Sequence, residues 1–162
     1  MGLNKLRSTI KNSLESTKKK YYKNPELFLN ESDIRSFLYM EIFKKLDKAS
    51  IINTEVNCKK RSKSKGTKGR FDIMVTSGGK KVAIEIKFGT FRSYDKWIRK
   101  SKKDLKKLNY PHNELSGGFY LIFLKNSKSI EDKIRKKLER KLKEYIKNKE
   151  WKNRENLNVK VI

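Results

Sequence analysis

The run Phe119-Tyr120-Leu121-Ile122-Phe123-Leu124 is wholly apolar or aromatic, in a chain of which 38% of the residues are charged. A strand of that composition has no polar side to turn to water, so it belongs in the interior of a sheet covered on both faces. Helices must supply the cover, and four segments carry helical spacing. Leu3, Leu6, Ile10 and Leu14 mark a short N-terminal helix. After Pro25, with Asn30 or Ser32 as cap, Ile34, Phe37, Leu38, Ile42 and Leu46 mark a second. Trp97, Ile98, Leu105 and Leu108 mark a third between Ser93 and Asn109, and Ile130, Ile134, Leu138, Leu142 and Tyr145 mark a long final one. Strands are predicted over Ile51 to Cys58, over Phe71 to Thr76 and Lys81 to Phe88 around the turn pair Gly78-Gly79, and at the close, where Leu157, Val159 and Val161 alternate. The fold class is α/β, a central mixed β-sheet flanked by helices. Residues 1–24 read as a basic helical extension and 25–162 as one domain.

The charge balance narrows the partners. There are 43 Lys and Arg against 18 Asp and Glu, a net charge of +25 in 162 residues. Such a surface selects a polyanion, and nucleic acid is the leading expectation. No stretch of about 20 apolar residues is present and the N-terminus lacks the apolar core of a signal peptide, so no membrane role and a cytoplasmic location are expected. Cys58 is the single cysteine, which excludes an internal disulfide, and His112, the single histidine, follows Pro111 in a loop and is given no role.

The chemistry concentrates on the hairpin. Symmetric pairing about Gly78-Gly79 sets Ser77 opposite Lys80 and Asp72 opposite Glu85. Two directly opposed carboxylates share one face of a sheet and repel. A divalent cation relieves that repulsion, and Mg²⁺ commonly takes one or two carboxylates together with water and phosphate oxygens. Strand alternation puts Lys87 on the face of Glu85, with Val82, Ile84, Ile86 and Phe88 on the other. On the partner strand Phe71, Ile73 and Val75 are expected to point away from Asp72. A solvated ion-pair cluster would use the same residue types, but charges within the apolar strand around Ile84-Glu85-Ile86-Lys87 are costly to bury without partners.

The stretch Gly69-Arg70-Phe71-Asp72-Ile73, with twelve residues between Asp72 and Glu85-Ile86-Lys87, resembles the Asp…Glu-x-Lys signature of the PD-(D/E)xK nuclease superfamily. Phe71 stands where the namesake proline would be. The segment with Asp104-Leu105-Lys106-Lys107-Leu108 and then Gly118 to Phe123 is similar to the helix and strand that come after the Glu-x-Lys strand in that superfamily, so the resemblance spans roughly residues 30 to 125. It implies a restriction-endonuclease-like core and a metal-dependent endonuclease acting on DNA more than on RNA. Asp72 and Glu85 would bind Mg²⁺ or Mn²⁺, the Ile86 carbonyl would complete the metal shell, and Lys87 would assist the attacking water. An acid from the first core helix often joins such sites: Glu31 is the choice here, with Glu41 and Glu55 as alternatives and a first-turn acid favoured by the helix dipole as the bland role.

Lys59, Lys60, Arg61, Lys63, Lys65, Lys68 and Arg70 lead into the strand bearing Asp72, and Lys96, Arg99 and Lys103 lie on the basic helix beyond it. These are expected to grip phosphates rather than read bases. A homodimer, a non-catalytic nucleic-acid-binding protein on the same fold, and a basic structural or ribosome-associated protein stand as further readings. The acidic pair argues against the last.

Overall fold

The computed structural model describes residues 1–58, 69–109, 113–125, 131–148 and 156–162. The elements are α1 (Leu3–Lys23), a single 3-10 turn (Pro25–Leu27), α2 (Glu31–Phe43), β1 (Ile51–Cys58), β2 (Gly69–Ser77), β3 (Lys80–Thr90), α3 (Tyr94–Leu108), β4 (Gly117–Lys125), α4 (Asp132–Lys147) and β5 (Leu157–Val161). The chain is thus α/β, and its five strands form one mixed sheet in the order β1-β2-β3-β4-β5. β1, β2 and β3 run antiparallel in succession, whereas β4 and β5 are parallel to β3.

Each face of the sheet is buried under two helices. Ile73, Val75, Val82, Ile84, Ile86, Phe119, Leu121 and Phe123 pack against Leu6, Ile10, Leu14, Ile34, Leu38 and Ile42 of α1 and α2. Phe71, Ala83, Tyr120, Ile122, Leu124, Val159 and Val161 pack against Trp97, Leu105, Leu108, Leu138, Leu142 and Ile146 of α3 and α4. β4 is buried from Gly117 to Leu124, as its unbroken apolar run requires. Full burial of one such Leu, Ile or Phe side chain contributes about 1.5–3 kcal/mol, so the sheet is anchored chiefly by this strand and its neighbour β3.

The N-terminal helix is longer than its leucine spacing predicts and is part of the core. Ser13, Thr17 and Tyr21 continue the buried stripe beyond Leu14. The small hydroxyl residues allow α2 to approach: Ser13 Oγ donates to the Glu41 carbonyl at 3.0 Å, and Tyr21 Oη donates to the Leu124 carbonyl at 2.8 Å. α2 starts at a capping box, with Asn30 accepting from the N–H groups of Ser32 and Asp33 while Asp33 accepts from that of Asn30. Among the described residues, no helix is long and apolar enough to cross a membrane.

The hairpin turns on Gly78 and Gly79, both with positive φ (53° and 72°), the conformation that a two-residue turn of this kind demands. Pairing runs in the expected register from Ser77↔Lys80 to Ile73↔Ile84. It then stops, so Asp72 and Glu85 are not a ladder pair. The β1–β2 ladder is interrupted at the same level: it runs from Ile51↔Thr76 to Thr54↔Ile73, omits Glu55 and Asp72, and resumes at Val56↔Phe71. Glu55 itself has φ of 51°, an uncommon conformation for a non-glycine residue. The alternation expected of β2 fails at this point, because Ile73 and Val75 enter the α1/α2 core whereas Phe71 enters the α3/α4 core. The sheet opens at Asp72.

Candidate metal centre

The opening between β2 and β3 is where the charged side chains meet. Asp72 Oδ2 accepts the N–H of Ile86 at 2.7 Å, a side-chain bond standing where the ladder bond would have been. Its Oδ1 lies 3.8 Å from Arg35 Nη1. Burial raises the Asp72 pKa, and the Ile86 hydrogen bond, Lys87, Lys107 and Arg35 only partly offset it.

Glu85 sits on β3, paired with Tyr120 of β4, and is 1% exposed. Burial pushes its carboxyl up to about 8, against the pull of Lys107, while the charge of Asp72 adds to the rise. Lys107 Nζ, from the last turn of α3, is 2.6 Å from Glu85 Oε1, although Oε1 receives no well-aligned hydrogen bond. The same ammonium donates to the Arg70 carbonyl at 2.6 Å, stands 3.8 Å from Asp104 Oδ1 and lies 5.4 Å from the Phe71 ring centroid.

Lys87 projects from β3 on the Glu85 side and is held between two elements. Its Nζ is 3.5 Å from Asp104 Oδ2 on α3 and 3.8 Å from Glu31 Oε1 at the start of α2. Burial acts to lower Lys87, yet the surrounding acids, Asp104 first and then Glu31, Glu85 and Asp72, hold it above its ordinary value. Glu31 is raised by its own burial, which outweighs the attraction of Lys87.

Asp72, Glu85 and Glu31 therefore all act electrostatically on Lys87, with Asp72 bound to the backbone N–H of Ile86 between Glu85 and Lys87. The two other acids weighed from sequence do not join as free carboxylates. Glu41 pairs with Lys44 and Lys45 near the far end of α2, and Glu55 pairs with Arg35 at 2.9 Å and Arg70 at 3.3 Å. Arg70, Lys96, Arg99 and Lys103 are exposed. Lys59, Lys60, Arg61, Lys63, Lys65, Lys68 and His112 lie outside the described residues.

Three site residues escaped the sequence reading. Arg35 ties Asp72 to Glu55, and Asp104 and Lys107 bring α3 into the cluster. By sequence Lys107 is one more lysine of the basic helix, expected to contact a nucleic-acid backbone rather than an acid of the site. One signal was present: Asp104 is an acid in a run of lysines, three residues before Lys107, and both border the buried Leu105 and Leu108.

The oxygen donors that a hard divalent cation would meet here are the carboxylates of Asp72, Glu85 and Glu31. Among the described residues, no three of His, Cys, Asp and Glu are gathered into a metal-holding group. Mg²⁺ needs only one or two carboxylates, however, with water and phosphate oxygens filling its shell. A buried carboxylate raised this far, beside a second one, calls for a positive charge, and an ammonium supplies it here. The groove between α1 and α4, of about 600 Å³ and lined by Lys18, Tyr22 and Lys160, shares none of these residues. Several of its bases are already neutralised in the pairs Arg135–Asp132, Lys143–Glu139 and Arg140–Glu144.

No family model, curated protein or solved structure matches this chain.

Proposed function

We propose that the chain is a divalent-metal-dependent endonuclease hydrolysing DNA phosphodiester bonds, built on a restriction-endonuclease-like core of the PD-(D/E)xK type. The observation that carries this reading is that Asp72 accepts the N–H of Ile86, the residue between Glu85 and Lys87, where the β2–β3 ladder opens, so that both acids act on Lys87. Carboxylates buried at a sheet opening are retained against a desolvation cost, and such strained, charged places are commonly functional. The mixed sheet, with a hairpin followed by a helix and a buried parallel strand, supports the reading.

In this reading Asp72 and Glu85, with the Ile86 carbonyl, hold Mg²⁺ or Mn²⁺. A bound cation of this kind polarises a phosphodiester and provides a nucleophile at neutral pH. Lys87, kept charged by Asp104 and Glu31, orients the attacking water and stabilises the negative charge that builds on the phosphate. Glu31 either extends the ligand set or acts through Lys87, which is its nearest charged partner. The exposed Lys96, Arg99 and Lys103 on α3 lie on the helix that supplies Asp104 and Lys107, and would bind the DNA backbone without regard to sequence.

The test is a cleavage screen on supercoiled, linear, branched and single-stranded DNA with Mg²⁺ or Mn²⁺. Cleavage should require the metal, and Asp72→Ala and Glu85→Ala should each bring it below detection while DNA binding persists. Undiminished cleavage by both variants would refute the mechanism. Salt-sensitive binding with no cleavage of any substrate would instead favour a binding protein on the same fold.

A further inference from the structure

Lys107 occupies the position from which a positive charge serves Glu85, and it does so from a helix rather than from the hairpin that carries the acids. Resting on the metal-site reading above, we infer that Lys107 is a displaceable counter-cation, which a divalent cation must evict from Glu85 on binding, so that this lysine sets the metal affinity of the site.

The geometry carries the argument. Glu85 is 1% exposed, and the Lys107 side chain is 11% exposed, so water does little to screen either charge. The 2.6 Å contact ties the ammonium to Oε1 in competition with any other cation there. A divalent ion on the same carboxylate, at the usual Mg–O distance, would lie within about 7 Å of Nζ. That is less than one Debye length at physiological salt, so the two cations repel with little screening. A divalent ion would bring two positive charges to Glu85 and Asp72, whereas the ammonium brings one, in contact with Glu85 and acting on Asp72 only from a distance.

Departure is structurally easy. Among the described residues, the backbone group that Lys107 satisfies is the carbonyl of Arg70, at the start of β2, and no buried backbone group besides it is bonded to this ammonium. Lys107 also lies in the last turn of α3, where the helix dipole favours a cation whether or not Glu85 is its partner. Lys87 differs on both counts. It is braced by Asp104 and Glu31 from two helices at 3.5 and 3.8 Å, and neither of these is the buried acid.

The experiment is a Mn²⁺ titration of the metal-free full chain, read by the electron paramagnetic resonance of free Mn²⁺. Lys107→Met should bind Mn²⁺ about tenfold or more tightly than the unaltered protein, a coupling of ordinary size for two ligands competing at one site. Lys107→Gln, which keeps a donor for the Arg70 carbonyl but not the charge, should tighten it likewise. Lys106→Met, on the exposed neighbour, should leave it unchanged. Unaltered or weaker Mn²⁺ binding in both Lys107 variants would overturn the inference. In the unaltered protein, acetylation of Lys107 followed by mass spectrometry should speed up when Mn²⁺ is added, and an unchanged rate would overturn it independently of how the variants fold. Glu85→Gln separates the two claims. If it binds Mn²⁺ as the unaltered protein does, or if no form of the protein binds Mn²⁺, the metal-site reading itself falls.

Discussion

A buried acid whose proton is held more tightly in the folded chain than in the unfolded one makes stability depend on pH, and Glu85 is such an acid. Its carboxyl moves from 4.5 to about 8, chiefly through burial. Between those values the folded state holds the proton and the unfolded state has lost it. Stability is therefore greatest at the acid end of the window and falls as pH rises toward 8. A shift of this size corresponds to about 5 kcal/mol in full, of which roughly 3 to 4 kcal/mol is lost between pH 5 and pH 8. Asp72 and Glu31 are raised too and act with the same sign. Lys87 is raised as well, but an ammonium held above its ordinary value withdraws stability only at more alkaline pH. The assay is urea denaturation of the metal-free protein and of Glu85→Gln across pH 5 to 8. Any constant cost of placing an amide there cancels in the comparison of slopes. The unaltered protein should lose stability relative to the variant by roughly 3 to 4 kcal/mol over that range. At pH 8, Mg²⁺ or Mn²⁺ should restore part of the loss in the unaltered protein alone. Parallel curves for the two proteins would refute the claim that Glu85 is desolvated and short of positive charge.

Two further outcomes check the elements that frame the site. Asn30→Ala removes the acceptor for the N–H groups of Ser32 and Asp33 and should cost about 1 kcal/mol in denaturant unfolding; an unchanged midpoint would remove the capping box from the account of why Glu31 is where it is. Replacing Lys96, Arg99 and Lys103 together by alanine should make the dependence of log Kd for duplex DNA on log salt shallower by about 2.7, at about 0.9 for each phosphate no longer neutralised. An unchanged slope would remove the outer face of α3 from the DNA interface.

The parts of this structure that were legible in sequence are those governed by short-range rules. Gly78-Gly79 sets the hairpin register because a two-residue turn with positive φ at both positions leaves no freedom to slip, and the register holds to Ile73↔Ile84. Phe119 to Leu124 is buried because it has no polar side, and α3 begins at Ser93, whose hydroxyl accepts the N–H of Lys96. The N-terminal helix runs past its apolar stripe for an equally local reason. Hydrophobicity marks its stripe only as far as Leu14, whereas the continuation through Ser13, Thr17 and Tyr21 is selected by the closeness of α2 and by a carbonyl on β4, neither of which a periodic pattern expresses.

What the sequence could not express is the break at Asp72. Perfect alternation would have sent Phe71 with Ile73 and Val75 to one face and set Asp72 squarely against Glu85. The backbone instead leaves both ladders at that residue, and the reason is electrostatic. A ladder pair would hold two buried carboxylates as direct cross-strand neighbours, where like charges destabilise. With the strands parted, Asp72 gains the Ile86 N–H and approaches Arg35, while Phe71 turns to the opposite core and lies beside Lys107. The cations that make this tolerable come from α2 and α3, segments distant in sequence whose lysines and arginines look like any others in a chain of +25. The acids of a site can thus be found from the strand that carries them, but their counter-charges are fixed by helix rotation against the sheet. The residues bordering a buried helical stripe, as Asp104 and Lys107 border Leu105 and Leu108, are where such partners should be sought.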